Sequence, residues 1–245
     1  MSEWWFPAAI SRHAIGFDVQ FDRTLMAAAI IFVVAQCALL IIAWRFRARA
    51  RSARPPKKPT SSRLELVWTT ATACLFLGLL FMGGHVWAGV QFTPAPPNSE
   101  NIEVLAKQFA WNFRYPGPDG KFGRTDIHLI DDAANNPFGL DDRDPFAKDD
   151  ITSATLRVPV GRPVKLTLTS RDVIHSFFVP AMRFKQDAVP GLMIHMHFRP
   201  EQTGDYEIAC AELCGLGHYK MHGIMRVVSE LDFQKWLAAR EADKQ

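Results

Sequence analysis

Two apolar runs near the amino terminus restrict this chain more than any other feature. Leu25 to Trp44 is twenty residues long, and its only strongly polar member is Gln36. Leu66 to Val90 contains no Asp, Glu, Lys or Arg. A helix of about 20 apolar residues crosses the hydrocarbon core of a bilayer. Inside lipid every backbone N–H and C=O must find its partner within the protein, which a helix achieves by itself. Two transmembrane helices are therefore expected, in preference to two buried core helices. The first run is too long, with charges too far into its flanks, for a cleaved signal peptide. Cys37 and Cys74 lie inside these runs and read as small apolar residues.

Between the runs stand Arg45, Arg47, Arg49, Arg51, Arg54, Lys57, Lys58 and Arg63, with Glu65 the only acid. Short basic loops stay on the cytoplasmic side of a bacterial inner membrane. That places the amino terminus and everything after residue 91 in the periplasm. The overall charge of +3 conceals this asymmetry. Such a loop also suits nucleic acid, but beside two spans topology explains it, and no nucleic-acid partner is expected. The expected organisation is an external tail over 1–22 and a hairpin over 23–92 whose basic loop is 45–63. A folded domain follows over 98–228, and a carboxy-terminal helix over 229–245.

After Pro94, Pro96 and Pro97 the pattern turns to short strands, at Asn101–Gln108, Ala154–Val160, Val164–Ser170, Ile194–Phe198, Tyr206–Ala209 and Gly223–Val228. Gly, Pro and Asp punctuate the gaps, as expected of an all-β sandwich or small barrel. Ser229 followed by Asp232 resembles a helix-capping pair, with Leu231, Trp236 and Leu237 available to pack on the barrel.

The chemistry lies in Cys210-Ala-Glu-Leu-Cys214-Gly-Leu-Gly-His218-Tyr-Lys-Met221, joined by His175 upstream. Two thiols, two imidazoles and a thioether are soft donors, which select copper over magnesium or calcium. A mononuclear blue site needs one thiolate. A second allows both sulfurs to bridge two ions, with His175 and His218 capping one each. Met221 offers a weak axial sulfur, and the Glu212 carbonyl a sixth donor. Structural zinc is the main rival, and the Met and the interposed Glu count against it. No Cys-x-x-Cys-His is present, so covalent haem is not expected.

The pattern C-x-E-x-C-x-x-x-H-x-x-M, with Asp172-Val-Ile-His-Ser-Phe-Phe-Val-Pro180 and Lys185-Gln-Asp-Ala-Val-Pro-Gly191, resembles subunit II of haem–copper cytochrome c oxidases. The two spans and the basic connector fit as well. The resemblance implies a cupredoxin-like Greek-key barrel behind a two-helix transmembrane hairpin. It implies a binuclear copper A centre held by His175, Cys210, Glu212, Cys214, His218 and Met221. Single electrons would pass from a cytochrome c, or a neighbouring donor complex, to haem in subunit I, where oxygen becomes water in a proton-pumping terminal oxidase. The chain itself would carry no oxygen site. The resemblance also implies a magnesium or manganese ion shared with subunit I through Glu212, and a proton-channel entrance at Glu65.

Departures from the family pattern stand beside these expectations. The aromatic stretch before the ligand strands reads Phe109-Ala-Trp-Asn-Phe-Arg-Tyr115. Phe109 replaces the Trp through which electrons enter, so Trp111 either takes over that role or packs over the copper site. Thr72 stands where the family often has Pro, which would leave the second helix straighter. Eight aspartates between Asp126 and Asp150 form either a solvated loop or an acidic dock for a basic donor. His195 and His197 share one face of a strand, as a metal pair or as ordinary polar residues. A quinol-oxidase subunit would lack the copper ligands. A nitrous oxide reductase would need a further His-rich domain, and a copper carrier would expose a simpler site.

Overall fold

The computed structural model describes residues 6–47 and 61–243. Most of the basic connector, Arg49 to Lys58, lies outside the described residues. The chain divides into two compact units, one over 16–89 and the other combining 2–15 with 90–245.

The first unit is helical. Helix α1 runs Arg12–Phe46 and α2 runs Ser62–Gln91. At 1.5 Å per residue, even α2 is about 45 Å long, more than a hydrocarbon core requires. The apolar side chains of both helices are exposed through their central windows. Water would not tolerate such faces, and lipid satisfies them. Both helices are thus long and apolar enough to cross a membrane. The helix begins at Arg12, inside the segment 1–22 that was expected as an external tail. Helix α2 is unbroken at Thr72, whose hydroxyl donates to the Trp68 carbonyl at 2.9 Å.

The second unit is a sandwich of two five-stranded sheets. Its strands are β1 Glu100–Lys107, β2 Ala110–Tyr115, β3 Ile151–Ser153, β4 Leu156–Pro159, β5 Val164–Ser170, β6 His175–Val179, β7 Phe184–Ala188, β8 Ile194–Phe198, β9 Gly204–Cys210 and β10 His222–Val228. One sheet has the order β3-β2-β1-β5-β8, the other β4-β10-β9-β6-β7. The pairs β1·β5 and β4·β10 are parallel and the remaining pairs antiparallel, a cupredoxin-like Greek-key arrangement. Alternation drives the packing. Val164, Leu166 and Leu168 of β5 point inward, as do Ile102, Val104 and Ala106 of β1, and Phe177 and Val179 of β6.

The strand expected over 154–160 is β4, and the short β3 just before it was not expected. Ser153 Oγ accepts from Thr155 N at 3.1 Å and donates to Thr155 O at 2.9 Å. This local loop breaks the ladder, so β3 stays in one sheet and β4 joins the other. A short helix, α3, spans Pro145–Lys148. The last helix, α4, spans Glu230–Ala242, capped by Ser229, whose Oγ accepts from Asp232 N at 3.1 Å. Leu231 is exposed, contrary to expectation. Phe233 is buried instead, and its ring and that of Trp236 lie against Tyr115. Residues 6–11, before α1, belong to this unit. Ile10 is buried, donates to the Ala181 carbonyl and accepts from Glu201 N.

Candidate metal centre

Strand pairing brings together ligands that are far apart in sequence. His175 opens β6 and Cys210 closes β9, and these strands are joined through the Phe177–Cys210 register. The loop between β9 and β10 is closed at its base, where Cys210 N donates to Met221 O at 3.2 Å. Ala211 N donates to Ser176 O at 2.9 Å, which ties the loop to β6 as well. A rigid sheet therefore supplies both ends of a short ligand-bearing segment.

Within that segment the two sulfurs face each other at 3.9 Å, too far for a disulfide. Cys210 Sγ lies 3.9 Å from His175 Nδ1 and 3.2 Å from the Glu212 carbonyl oxygen. Cys214 Sγ lies 3.7 Å from His218 Nδ1 and 3.8 Å from Met221 Sδ. The six sequence-predicted donors thus come together, four of them around the two cysteine sulfurs, with one imidazole beside each. His175, Cys210, Cys214 and Met221 are buried. Among the described residues, His175, Cys210 and Cys214 are the one group of three His, Cys, Asp or Glu side chains whose ligand atoms all lie within 4.8 Å of one another. Such a His/Cys/Cys cluster is compatible with copper.

Electrostatics agree with a site built for a cation. Burial and the neighbouring Cys210 push the Cys214 thiol up to about 11. Without a cation the Cys214 sulfur holds its proton, and a soft metal must displace it to bind.

Two residues that sequence reasoning did not single out complete the surroundings. Asp172 Oδ1 accepts from His175 Nε2 at 2.8 Å, and its Oδ2 accepts from Gln108 N at 2.7 Å. Burial alone would raise the Asp172 carboxyl. The Gln108 amide, the His175 ring and the Val173 amide outweigh it and hold the group below its ordinary range. A carboxylate three residues before a ligand histidine was a readable signal. Gln108 had none.

Phe109 lies against the cysteine loop. A β-carbon on Gly217 would come within 2.4 Å of its ring, and one on Gly215 within 2.8 Å of the Gln108 side-chain amide. Gly215 also has φ +136, a conformation open to glycine. Phe109 is 37% exposed, whereas Trp111 is 2% exposed. Trp111 stands edge-on to His175 and Phe177, with ring centroids at 6.2 and 5.3 Å. Its position is that of a packing residue behind the cluster. Around the loop Leu213, Leu216 and Tyr219 are exposed.

The remaining candidates sit elsewhere. Glu65 is exposed in the first turn of α2. His195 and His197 lie on β8, an edge strand, with His195 Nδ1 3.1 Å from Thr167 Oγ1. Six of the eight aspartates between 126 and 150 are engaged within the protein. Asp126 and Asp131 accept from loop amides. Asp132 pairs with Lys107 and Arg171, Asp141 with Arg124 and Arg143, Asp144 with Arg124, and Asp150 with Arg114. These acids build the loop, so they offer less to a partner than their number suggests.

The chain is similar to several known proteins. The family described as cytochrome c oxidase subunit II, periplasmic domain, matches residues 101–228. An alternative cytochrome c oxidase subunit 2 of Bradyrhizobium diazoefficiens is 34% identical, over 96% of this chain and 83% of that protein. Cytochrome c oxidase subunit 2 of Cereibacter sphaeroides is 30% identical, over 89% and 73%. Among solved structures, the periplasmic domain of subunit II of cytochrome oxidase of Bradyrhizobium japonicum is 26% identical, with a TM-score of 0.46. That comparison covers 62% of this chain and all of that domain.

Proposed function

The chain belongs to the cytochrome c oxidase subunit II family, and on that premise we propose that it is the electron-accepting copper subunit of a proton-pumping terminal oxidase. The observation that carries this reading is the pair of buried sulfurs 3.9 Å apart with one imidazole beside each. Cys210, Cys214, His175, His218, Met221 and the Glu212 carbonyl would together hold two coppers. When bound, this centre supplies a one-electron couple between a cytochrome c-type donor, or a neighbouring donor complex, and the haem of subunit I. The chain's own residues hold that couple rigidly, exclude water from it and leave one approach open at the loop. Oxygen reduction to water belongs to subunit I, and no residue set here is assigned to it.

The Glu212 side chain is exposed while its carbonyl faces Cys210. That division supports a second role, in which the carboxylate helps hold magnesium or manganese shared with subunit I. Glu65, at the start of α2, is assigned to the proton-channel entrance on the family pattern. The basic connector supports a multi-pass arrangement in a bacterial inner membrane, with the amino terminus and the β-sandwich in the periplasm. Phe109, half-buried over the cysteine loop, is the better placed of the two aromatics to admit electrons, because Trp111 does not reach the surface. Phe109→Ala is expected to slow reduction by a cytochrome c-type donor while the midpoint potential stays unchanged. Stopped-flow kinetics paired with a redox titration checks this.

The decisive experiment is copper loading of the full chain in detergent under reducing conditions. Two coppers per chain, with an electron paramagnetic resonance signal shared equally by both nuclei, are expected. One copper with a blue-type spectrum, or zinc bound stoichiometrically, would sink the reading.

A further inference from the structure

His175 shows one ring nitrogen to the sulfurs, and the opposite nitrogen is held from outside the cysteine loop. Nε2 lies 2.8 Å from Asp172 Oδ1. A carboxylate only accepts, so Nε2 carries the proton and Nδ1 keeps a bare lone pair towards Cys210. Asp172 is itself fixed at both oxygens, Oδ1 by the Val173 amide and Oδ2 by the Gln108 amide, each at 2.7 Å. The same Gln108 donates from its side chain to the Cys214 carbonyl at 2.6 Å. One residue therefore joins the carboxylate behind His175 to the segment that carries the second thiol. Among the described residues no carboxylate is hydrogen-bonded to His218, so the arrangement acts on one imidazole of the two.

We propose that Asp172 and Gln108 are positioning residues that fix the tautomer and orientation of His175 and lower the reduction potential of the copper bound there. The inference rests on the copper reading and deepens it. An imidazole that donates to a carboxylate is a stronger electron donor, and a nearby negative charge favours the more oxidised metal. Gln108 locks the spacing between this carboxylate and the Cys214 loop, so removing it loosens the same geometry from the other end.

The test uses the copper-loaded full chain in detergent, with Asp172→Ala, Asp172→Asn and Gln108→Ala compared with the unaltered chain. Readouts are a spectroelectrochemical titration and nitrogen hyperfine spectroscopy of the imidazoles. Asp172→Ala is expected to change the coupling of one imidazole and raise the potential by about 59 mV, a tenfold change for one electron. Asp172→Asn keeps an acceptor but not the charge, so the couplings persist and the potential alone rises. Gln108→Ala is expected to shift the potential upward by less.

An unchanged potential and unchanged couplings in Asp172→Ala would overturn the proposal. So would a change in donor reduction rate alone, because that result makes Asp172 a docking residue. If the alanine variant misfolds, an unmoved potential in Asp172→Asn is the overturning result. The unaltered chain tests the copper reading separately: failure to hold two coppers there defeats the metal assignment before any variant is compared.

Discussion

Replacing Cys214 by serine is expected to abolish the two-copper centre and, with it, electron acceptance from a cytochrome c-type donor. Cys214 Sγ is the atom on which the second half of the site converges, 3.7 Å from His218 Nδ1, 3.8 Å from Met221 Sδ and 3.9 Å from Cys210 Sγ. A serine oxygen is hard, weakly acidic and unable to bridge two soft ions as a thiolate does. Cys210, His175, His218 and Met221 remain, a set with a single thiolate that suits one ion. The expected result is a fall from two coppers to one or fewer per chain and loss of the shared-electron signal. Metal analysis and electron paramagnetic resonance check it. The fold should survive, because Cys214 contributes little to the sheets, and an unchanged circular dichroism spectrum separates lost ligation from lost structure. A variant that keeps two coppers and the shared signal would place the second bridging donor elsewhere.

The second large effect is structural. Arg114→Met is expected to destabilise the β-sandwich by about 3–5 kcal/mol, the usual cost of removing one partner from a buried ion pair. The Arg114 guanidinium is buried on β2, donating to Asp150 from Nε at 3.0 Å and to Glu103 at 2.9 Å, with the Phe122 ring 5.0 Å away. Asp150 is fully buried. Burial already raises its carboxyl, against the opposing pull of Arg114 and the Gly123 amide. With the guanidinium gone the carboxyl rises further and takes up a proton in the folded state. A carboxyl whose folded pKa lies above its unfolded value makes stability fall as pH rises through that folded pKa. The loss in Arg114→Met should therefore be largest near neutrality and smaller in acid. Chemical denaturation of the detergent-solubilised variant at several pH values checks this, and a pH-independent loss would show that packing around Phe122 dominates instead.

Periodicity made some of this structure readable and long-range pairing hid the rest. The alternation in Val164–Ser170 and Ile194–Phe198 matches β5 and β8 residue for residue, because each shows one face to the core. Strands β6 and β7 were not distinguished. The sequence Phe177-Phe178-Val179 has no polar alternation, and β7 carries Lys185, Gln186 and Asp187 in succession. The serine of the capping pair was legible at α4, but the face that α4 buries was not. Phe233 wins over Leu231 because the aromatic ring of Tyr115 awaits it.

At the metal centre the residue types announced soft-metal chemistry, since thiols, imidazoles and a thioether rarely cluster otherwise. Their convergence depends on the β6–β9 register, which no local spacing encodes. Gln108 is the clearest loss. It reaches Asp172 and Cys214 across 64 and 106 positions, and a glutamine between strands looks like any other polar residue.

The aspartate-rich loop carries a consequence for how a partner is chosen. Charges already matched by Lys107, Arg114, Arg124, Arg143 and Arg171 project fields that cancel over short distances. At physiological salt, screening removes most of what is left within about 8 Å. If a partner docks over the cysteine loop as proposed, the aspartate-rich loop would give it little guidance from afar, and it would meet Leu213, Leu216 and Tyr219 on contact. Selection would then fall to the fit of touching surfaces. Such a partner would be recognised slowly and by shape, and its capture would depend only weakly on ionic strength.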